Sequence, residues 1–140
     1  MKIVNLFTSC FLSALLLACN DNYPVATKTS YIAVRKSDTA WAVLEILPGT
    51  FKGTLEISYN GAYKDSGNVK GVVKGDTLVG EFNYQQYHLP AWMRKPINLL
   101  KKKDNLIIGE GAIRYTFGRV HFDPKVPLIY SDTNFVFLPY

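Results

Sequence analysis

The sequence predicts an all-β fold. It reads as an antiparallel meander of about eight strands, closed or nearly closed into an up-and-down barrel, with a β-sandwich as the runner-up. Three observations predict this. Apolar and polar residues alternate along several segments, the period of a strand with one core face and one wet face. Beyond residue 30 no stretch of convincing length carries apolar residues at helical spacing. Turn residues punctuate the alternating runs at intervals of roughly eight to fourteen residues. Such a meander has two open edges, and closure removes both. The composition agrees: 48 % apolar, 14 % aromatic and 19 % charged over 140 residues. That is a globular balance and the size of one domain.

Each element follows from its residues. Tyr31 to Lys36 forms the first strand, and Ser37-Asp38 turns it into Ala40 to Leu47. Pro48-Gly49 marks the next turn. Phe51 to Asn60 is the cleanest strand. Phe51, Gly53, Leu55, Ile57 and Tyr59 share one face; Lys52, Thr54, Glu56, Ser58 and Asn60 share the other. Asn60-Gly61 opens a loop reaching about Ser66, and Asn68 to Val73 is the next strand. Lys74-Gly75-Asp76 turns it into Leu78 to Gln85, where Leu78, Gly80, Phe82 and Tyr84 share a face. Tyr87 to Trp92 is an aromatic loop containing Pro90. Arg94 to Lys101 follows, with Pro96 placing it at a strand start, a bulge or an edge. Lys102 to Asn105 turns the chain into Leu106 to Ile113, where Gly109 and Gly111 suggest a bend or a close approach. Residues 114–132 are less regular, and Asn134 to Leu138 is the last strand.

The N-terminus is an address. Lys2 supplies a charge, Phe7 to Ala18 an apolar stretch too short for a comfortable membrane anchor, and Leu16-Leu17-Ala18-Cys19 its end. This segment resembles a bacterial lipoprotein signal. The resemblance implies lipid attachment to the Cys19 thiol, cleavage before it, and acylation of the new amino group. Residues 1–18 are then a signal peptide, residues 19–30 a lipidated tether, and residues 31–140 the β-barrel domain. Cys10 is removed, so the chain's two cysteines leave neither a disulfide nor a free thiol. Acyl chains would hold the protein on a membrane of the cell envelope. Asn20 follows the cysteine, which favours the outer membrane, on either its periplasmic or its surface face. Losing Lys2 leaves a formal charge of +4, one below the +5 of the whole chain. The run Lys101-Lys102-Lys103 reads as a solvated turn, and an exported chain does not meet nucleic acid.

From Tyr31 onward the chain resembles the small lipocalin-like lipoproteins of Bacteroidetes-type bacteria. The likeness lies in Gly53-Thr54-Leu55, in Gly71 to Leu78 (GVVKGDTL), in Asp104 to Gly111 (DNLIIGEG) and in Asp132 to Phe137 (DTNFVF). It covers most of the mature chain through strand-and-turn signatures. It implies the barrel and the compartment, and no catalytic residues. Such relatives often carry cysteines near the domain ends; Ser30 and Tyr140 stand near those places here.

Two functions from different classes follow. The first is a lipocalin-like binder of a small apolar or amphipathic ligand. Phe51, Tyr59, Phe82 and Tyr84 would line the interior, Trp92 would rim one mouth with Tyr87 and His88, and Arg94 or Glu110 would fix a polar end. The second is an accessory lipoprotein with a filled core that engages an envelope protein, as an inhibitor or assembly factor. Glu110 has two readings. Strict alternation puts it inward with Leu106 and Ile108, whereas a bulge at Gly109 and Gly111 turns it to solvent. His88 and His121 are the only imidazoles, far apart and without cysteine, which argues against a metal centre. No nucleophile elbow, zinc-protease, phosphate-loop or dinucleotide motif occurs. The sequence therefore reads as a non-enzyme without cofactor or metal, a small hydrolase being the exception left open.

Overall fold

A computed structural model describes residues 26–140. The signal segment, Cys19 and the tether up to residue 25 lie outside the described residues. The described chain forms ten strands and no helix. They are β1 (Lys28–Arg35), β2 (Asp38–Leu47), β3 (Thr50–Tyr59), β4 (Tyr63–Lys74), β5 (Thr77–Gln86), β6 (Trp92–Lys102), β7 (Asn105–Ile108), β8 (Ile113–Thr116), β9 (Arg119–Phe122) and β10 (Val136–Pro139). Eight of them close an antiparallel barrel in the order β1-β2-β3-β4-β5-β6-β7-β10, with β10 returning to β1. The ladder closes within residues 28–139.

Tight turns set the register. Two-residue loops join β1 to β2, β2 to β3, β4 to β5 and β6 to β7. At Pro48-Gly49 the glycine takes φ 82°, the conformation a turn with proline at its first corner needs there. Several bounds differ from the sequence reading. β1 begins at Lys28, inside the stretch read as tether. β4 begins at Tyr63 rather than Asn68, because Asn60 to Ala62 suffices to reverse the chain. β7 stops at Ile108 instead of running to Ile113.

Parity sorts the side chains. Ala40, Ala42 and Leu44 of β2, Phe51, Leu55 and Ile57 of β3, Leu78 and Phe82 of β5, and Ile97 and Leu99 of β6 point inward and are buried. Each of the buried Leu, Ile and Phe side chains contributes roughly 1.5–3 kcal/mol of transfer free energy.

The barrel has two unlike ends. At the entry end lie the start of β1, the turns Pro48-Gly49, Gly75-Asp76 and Lys103-Asp104, and the C-terminus. At the opposite end lie Lys36-Ser37, Asn60 to Ala62, the 87–91 loop and a long excursion, residues 109–135, between β7 and β10. The excursion carries the separate β8–β9 hairpin. It also fills a seam. β7 pairs β6 only from Leu99 to Lys102, and β10 pairs β1 only at Tyr31 and Ile32. The remaining halves of β6 and β1 lack a ladder neighbour on that side, which suits Pro96, having no N–H to leave unpaired. The excursion is pinned there. The Gly109 amide donates to the Asn98 carbonyl at 2.8 Å, and the buried Asn134 amide donates to the carbonyls of Ile108 and Ile129. The Tyr130 ring packs so closely on Gly109 that a Cβ there would lie 2.8 Å from it.

Candidate functional site

The interior is filled. Gly71 and Gly80 face each other across β4 and β5, and the Phe51 ring lies on the pair. A Cβ at Gly71 would meet that ring at 2.6 Å. Phe51 thus covers glycine backbone, and the hollow it borders is a shallow depression on the outside of the sheet, shared with Gly71 and Gly80. Farther along, Leu44, Leu55, Ile97, Leu99 and Phe137 surround a void of about 10 Å³. One water needs about 10–15 Å³ and polar partners, and this lining is apolar.

Toward the excursion end the core turns polar. Asp65 of β4 is buried, and its Oδ2 accepts from the Tyr59 hydroxyl at 3.0 Å and from Lys95 Nζ at 3.3 Å. The Lys95 ammonium also sits 5.3 Å from the Phe82 ring centroid and 4.7 Å from that of Tyr84, within cation–π range. Those rings stack at 4.8 Å. Burial first, then the charge of Asp65, pushes the Tyr59 and Tyr84 hydroxyls above their usual range. Among the described residues no fully buried side-chain nitrogen or oxygen lacks a partner.

The residues expected to bind a ligand therefore separate. Phe51, Phe82 and Tyr84 are core, and Tyr59 is a partner of Asp65. Arg94 points outward beside Asn83, its Nε 3.7 Å from Glu81. The inward cation of β6 is its neighbour Lys95, one residue along and so on the other face. Trp92 also faces outward, 57 % exposed, over a shallow groove shared with Gln85, Tyr87 and Leu89. Glu110 sits past the end of β7, held by a single bridge to Ile129, and its exposed carboxylate accepts from Arg35. The ladder ends before Glu110, so strand alternation does not reach it.

Sequence reasoning missed Asp65 and Lys95. Parity was the available signal. Lys95 lies two and four residues before Ile97 and Leu99, and Asp65 lies four before Val69.

The imidazoles do not converge. His88 packs at a tilt against Tyr87 in the 87–91 loop, with ring centroids 3.7 Å apart. His121 lies across the hairpin from Arg114; its Nδ1 donates to the Phe122 carbonyl, and its Nε2 lies within hydrogen-bond distance of the Thr116 hydroxyl, at 2.9 Å. This hydroxyl–imidazole pair rests on an exposed two-stranded hairpin. Among the described residues no three His, Cys, Asp or Glu side chains gather as metal ligands.

The hairpin itself is the most exposed apolar feature. Ile113 and Tyr115 share one face with Val120 and Phe122. Tyr115 is 79 % exposed and Phe117, at the tip, 100 %. Phe117 and Gly118 both have positive φ, 49° and 74°. This is the geometry of a two-residue hairpin turn whose first corner ordinarily takes Asn, Asp or Gly. A bulky residue there is strained. At the root, the Lys125 amide and the Arg114 guanidinium hold the Asp123 carboxyl below the usual carboxylate range. Among the described residues, Arg119 and Lys125 have no carboxylate within salt-bridge distance. Comparison with known families, curated proteins and solved structures gives no match.

Proposed function

We propose that this chain is a lipid-anchored, lipocalin-like envelope protein, held through Cys19 in the outer membrane, and that it works as a binding module rather than an enzyme. Its barrel is a filled scaffold, and its working surface is the excursion end. There it presents the Phe117 hairpin to an envelope protein carrying an apolar groove with an acidic rim. The observation that carries this reading is Phe117, a wholly exposed aromatic on a turn that strains it. Neither burial nor backbone preference accounts for a phenylalanine there. Arg119 beside the tip and Lys125 beyond the hairpin's root call for acidic residues on the partner. Little supports a small ligand inside, since the apolar void within the barrel is only about 10 Å³.

A photoreactive amino acid at position 117, in cells, tests this. The expected result is one discrete crosslinked protein, with the yield falling several-fold in R119E/K125E. Crosslinks spread over many proteins, or a yield indifferent to those charges, would overturn the proposal. Native mass spectrometry of the chain from Ala26 should give the bare polypeptide mass; a co-purified small molecule would return the argument to ligand binding.

A further inference from the structure

The entry end carries a second surface. Backbone bonds draw its turns together: the Lys101 amide donates to the Asp76 carbonyl at 2.7 Å, and the Val73 amide to the Gly49 carbonyl at 3.0 Å. The Tyr140 amide donates to the Ser30 carbonyl, placing the C-terminus there too. Topology thus gathers Lys28, Lys52, Lys74 and Lys101 to Lys103 at one end, all exposed. Lys52 pairs with Glu45 at 3.4 Å. Among the described residues the other five have no carboxylate within salt-bridge distance. Asp76 and Asp104 are the remaining acids of these turns. Tyr140 and Leu138 lie exposed at the same end. Lysines with an exposed tyrosine are the side chains that favour a lipid–water interface.

We infer that the entry end docks on an anionic phospholipid surface. The lysines meet the headgroups, and the barrel stands with the Phe117 hairpin facing away. The occupant follows from charge complementarity and from continuity, since the chain enters the barrel at Lys28 on this same face. The inference deepens the anchoring reading proposed above and supplies the second membrane signal that a lipid anchor alone lacks: one that fixes orientation.

The test uses unacylated chain from Ala26, which contains the whole closed barrel, so it is blind to whether Cys19 is lipidated. Lipidation is read separately, from the mass of the N-terminal peptide of the membrane-extracted protein. In co-sedimentation at about 0.1 M salt, the chain should bind phosphatidylcholine vesicles containing about 30 % phosphatidylglycerol and ignore pure phosphatidylcholine. Replacing Lys101 and Lys102 by Gln and Lys103 by Asn should weaken binding roughly a hundredfold, at about fivefold per lysine. Asn suits position 103, where φ is 58°. The control K36N removes one lysine from the excursion end and should change nothing. Equal binding to neutral vesicles, a comparable loss in K36N, or equally tight binding of duplex DNA at the same salt would overturn the inference. An unchanged melting temperature in the triple variant is required before a loss of binding is credited to charge.

Discussion

Phe117→Asn separates what the hairpin tip does for the fold from what it does for function. The ring is fully exposed, so removing it forfeits no burial, and the transfer term is near zero. The backbone term favours the change. A non-glycine residue in the left-handed region costs about 1–3 kcal/mol, and Asn is the residue other than Gly that best tolerates that region. Asn followed by Gly118 is also the preferred pair for this two-residue turn. The variant should therefore be more stable by about 1 kcal/mol. For a domain of this size that is a rise of roughly 4 °C in melting temperature. It shows equally as a higher urea midpoint at unchanged slope. The same variant should lose most of the partner crosslink, with the probe moved to Tyr115. A fall in melting temperature of several degrees would refute the reasoning, because it would mean that the ring is buried in the folded protein. A stabilised variant with full crosslinking would keep the strain argument and refute the functional one.

Three further outcomes follow from the core. Gly71→Ala puts a Cβ 2.2 Å from the Val79 carbonyl oxygen and 2.6 Å from the Phe51 ring; it should cost about 3 kcal/mol or more in urea titration, whereas Gly75→Asn, in open space with φ 57°, should stay within about 0.5 kcal/mol. Lys95→Met should destabilise more than Asp65→Asn. It strands a carboxylate whose side chain is 7 % exposed, whereas the reverse change strands an ammonium that is 31 % exposed and keeps its two aromatic faces; the difference should reach about 1–2 kcal/mol. Tyr31, Tyr59 and Tyr84 all hold their protons more tightly in the folded chain than in the unfolded one, chiefly through burial. Their stabilisation is complete below about pH 10, the ordinary tyrosine value, and declines as pH rises above it. Urea midpoints should fall above that pH, and less steeply in Tyr59→Phe.

The architecture was legible wherever a strand separates a dry face from a wet one. β3 is the clear case: every residue assigned to its inner face, from Phe51 to Tyr59, points inward. Legibility failed where another term outweighed the pattern. In β7 both Leu106 and Ile107 are buried, so alternation could not locate the strand's end. Close approach of Tyr130 at Gly109 decides it instead. Asp65 and Lys95 occupy inward positions by parity, yet a search for apolar residues passes over them. Their burial is made tolerable by each other, by the Tyr59 hydroxyl and by two aromatic faces, none of which is a neighbour in sequence. Arg94 and Lys95 carry the same charge, and only strand parity, with Phe82 opposite Lys95 and Asn83 opposite Arg94, tells the inward one from the outward one. The β8–β9 hairpin was unreadable for a related reason. Its turn is Phe117-Gly118, and phenylalanine carries no turn signal.

The two proposed surfaces constrain each other through the topology. An even number of antiparallel strands closes this barrel, so β1 starts and β10 ends at the same end. The described chain thus enters and leaves the barrel at one end, and the longest connection develops at the other. A solid barrel between them transmits orientation without a moving part: the buried core is close-packed, and its void of about 10 Å³ leaves no room for repacking. A membrane contact at the lysines therefore fixes where Phe117 points, and a partner at Phe117 feels the membrane only as a limit on tilt. The triple lysine variant should then lower the crosslink at position 117 in cells even though Phe117, Arg119 and Lys125 are untouched. It should leave binding of the purified partner in solution unchanged. Loss in both settings would mean that the lysines contact the partner directly, and the assignment of one surface to lipid and the other to protein would fail.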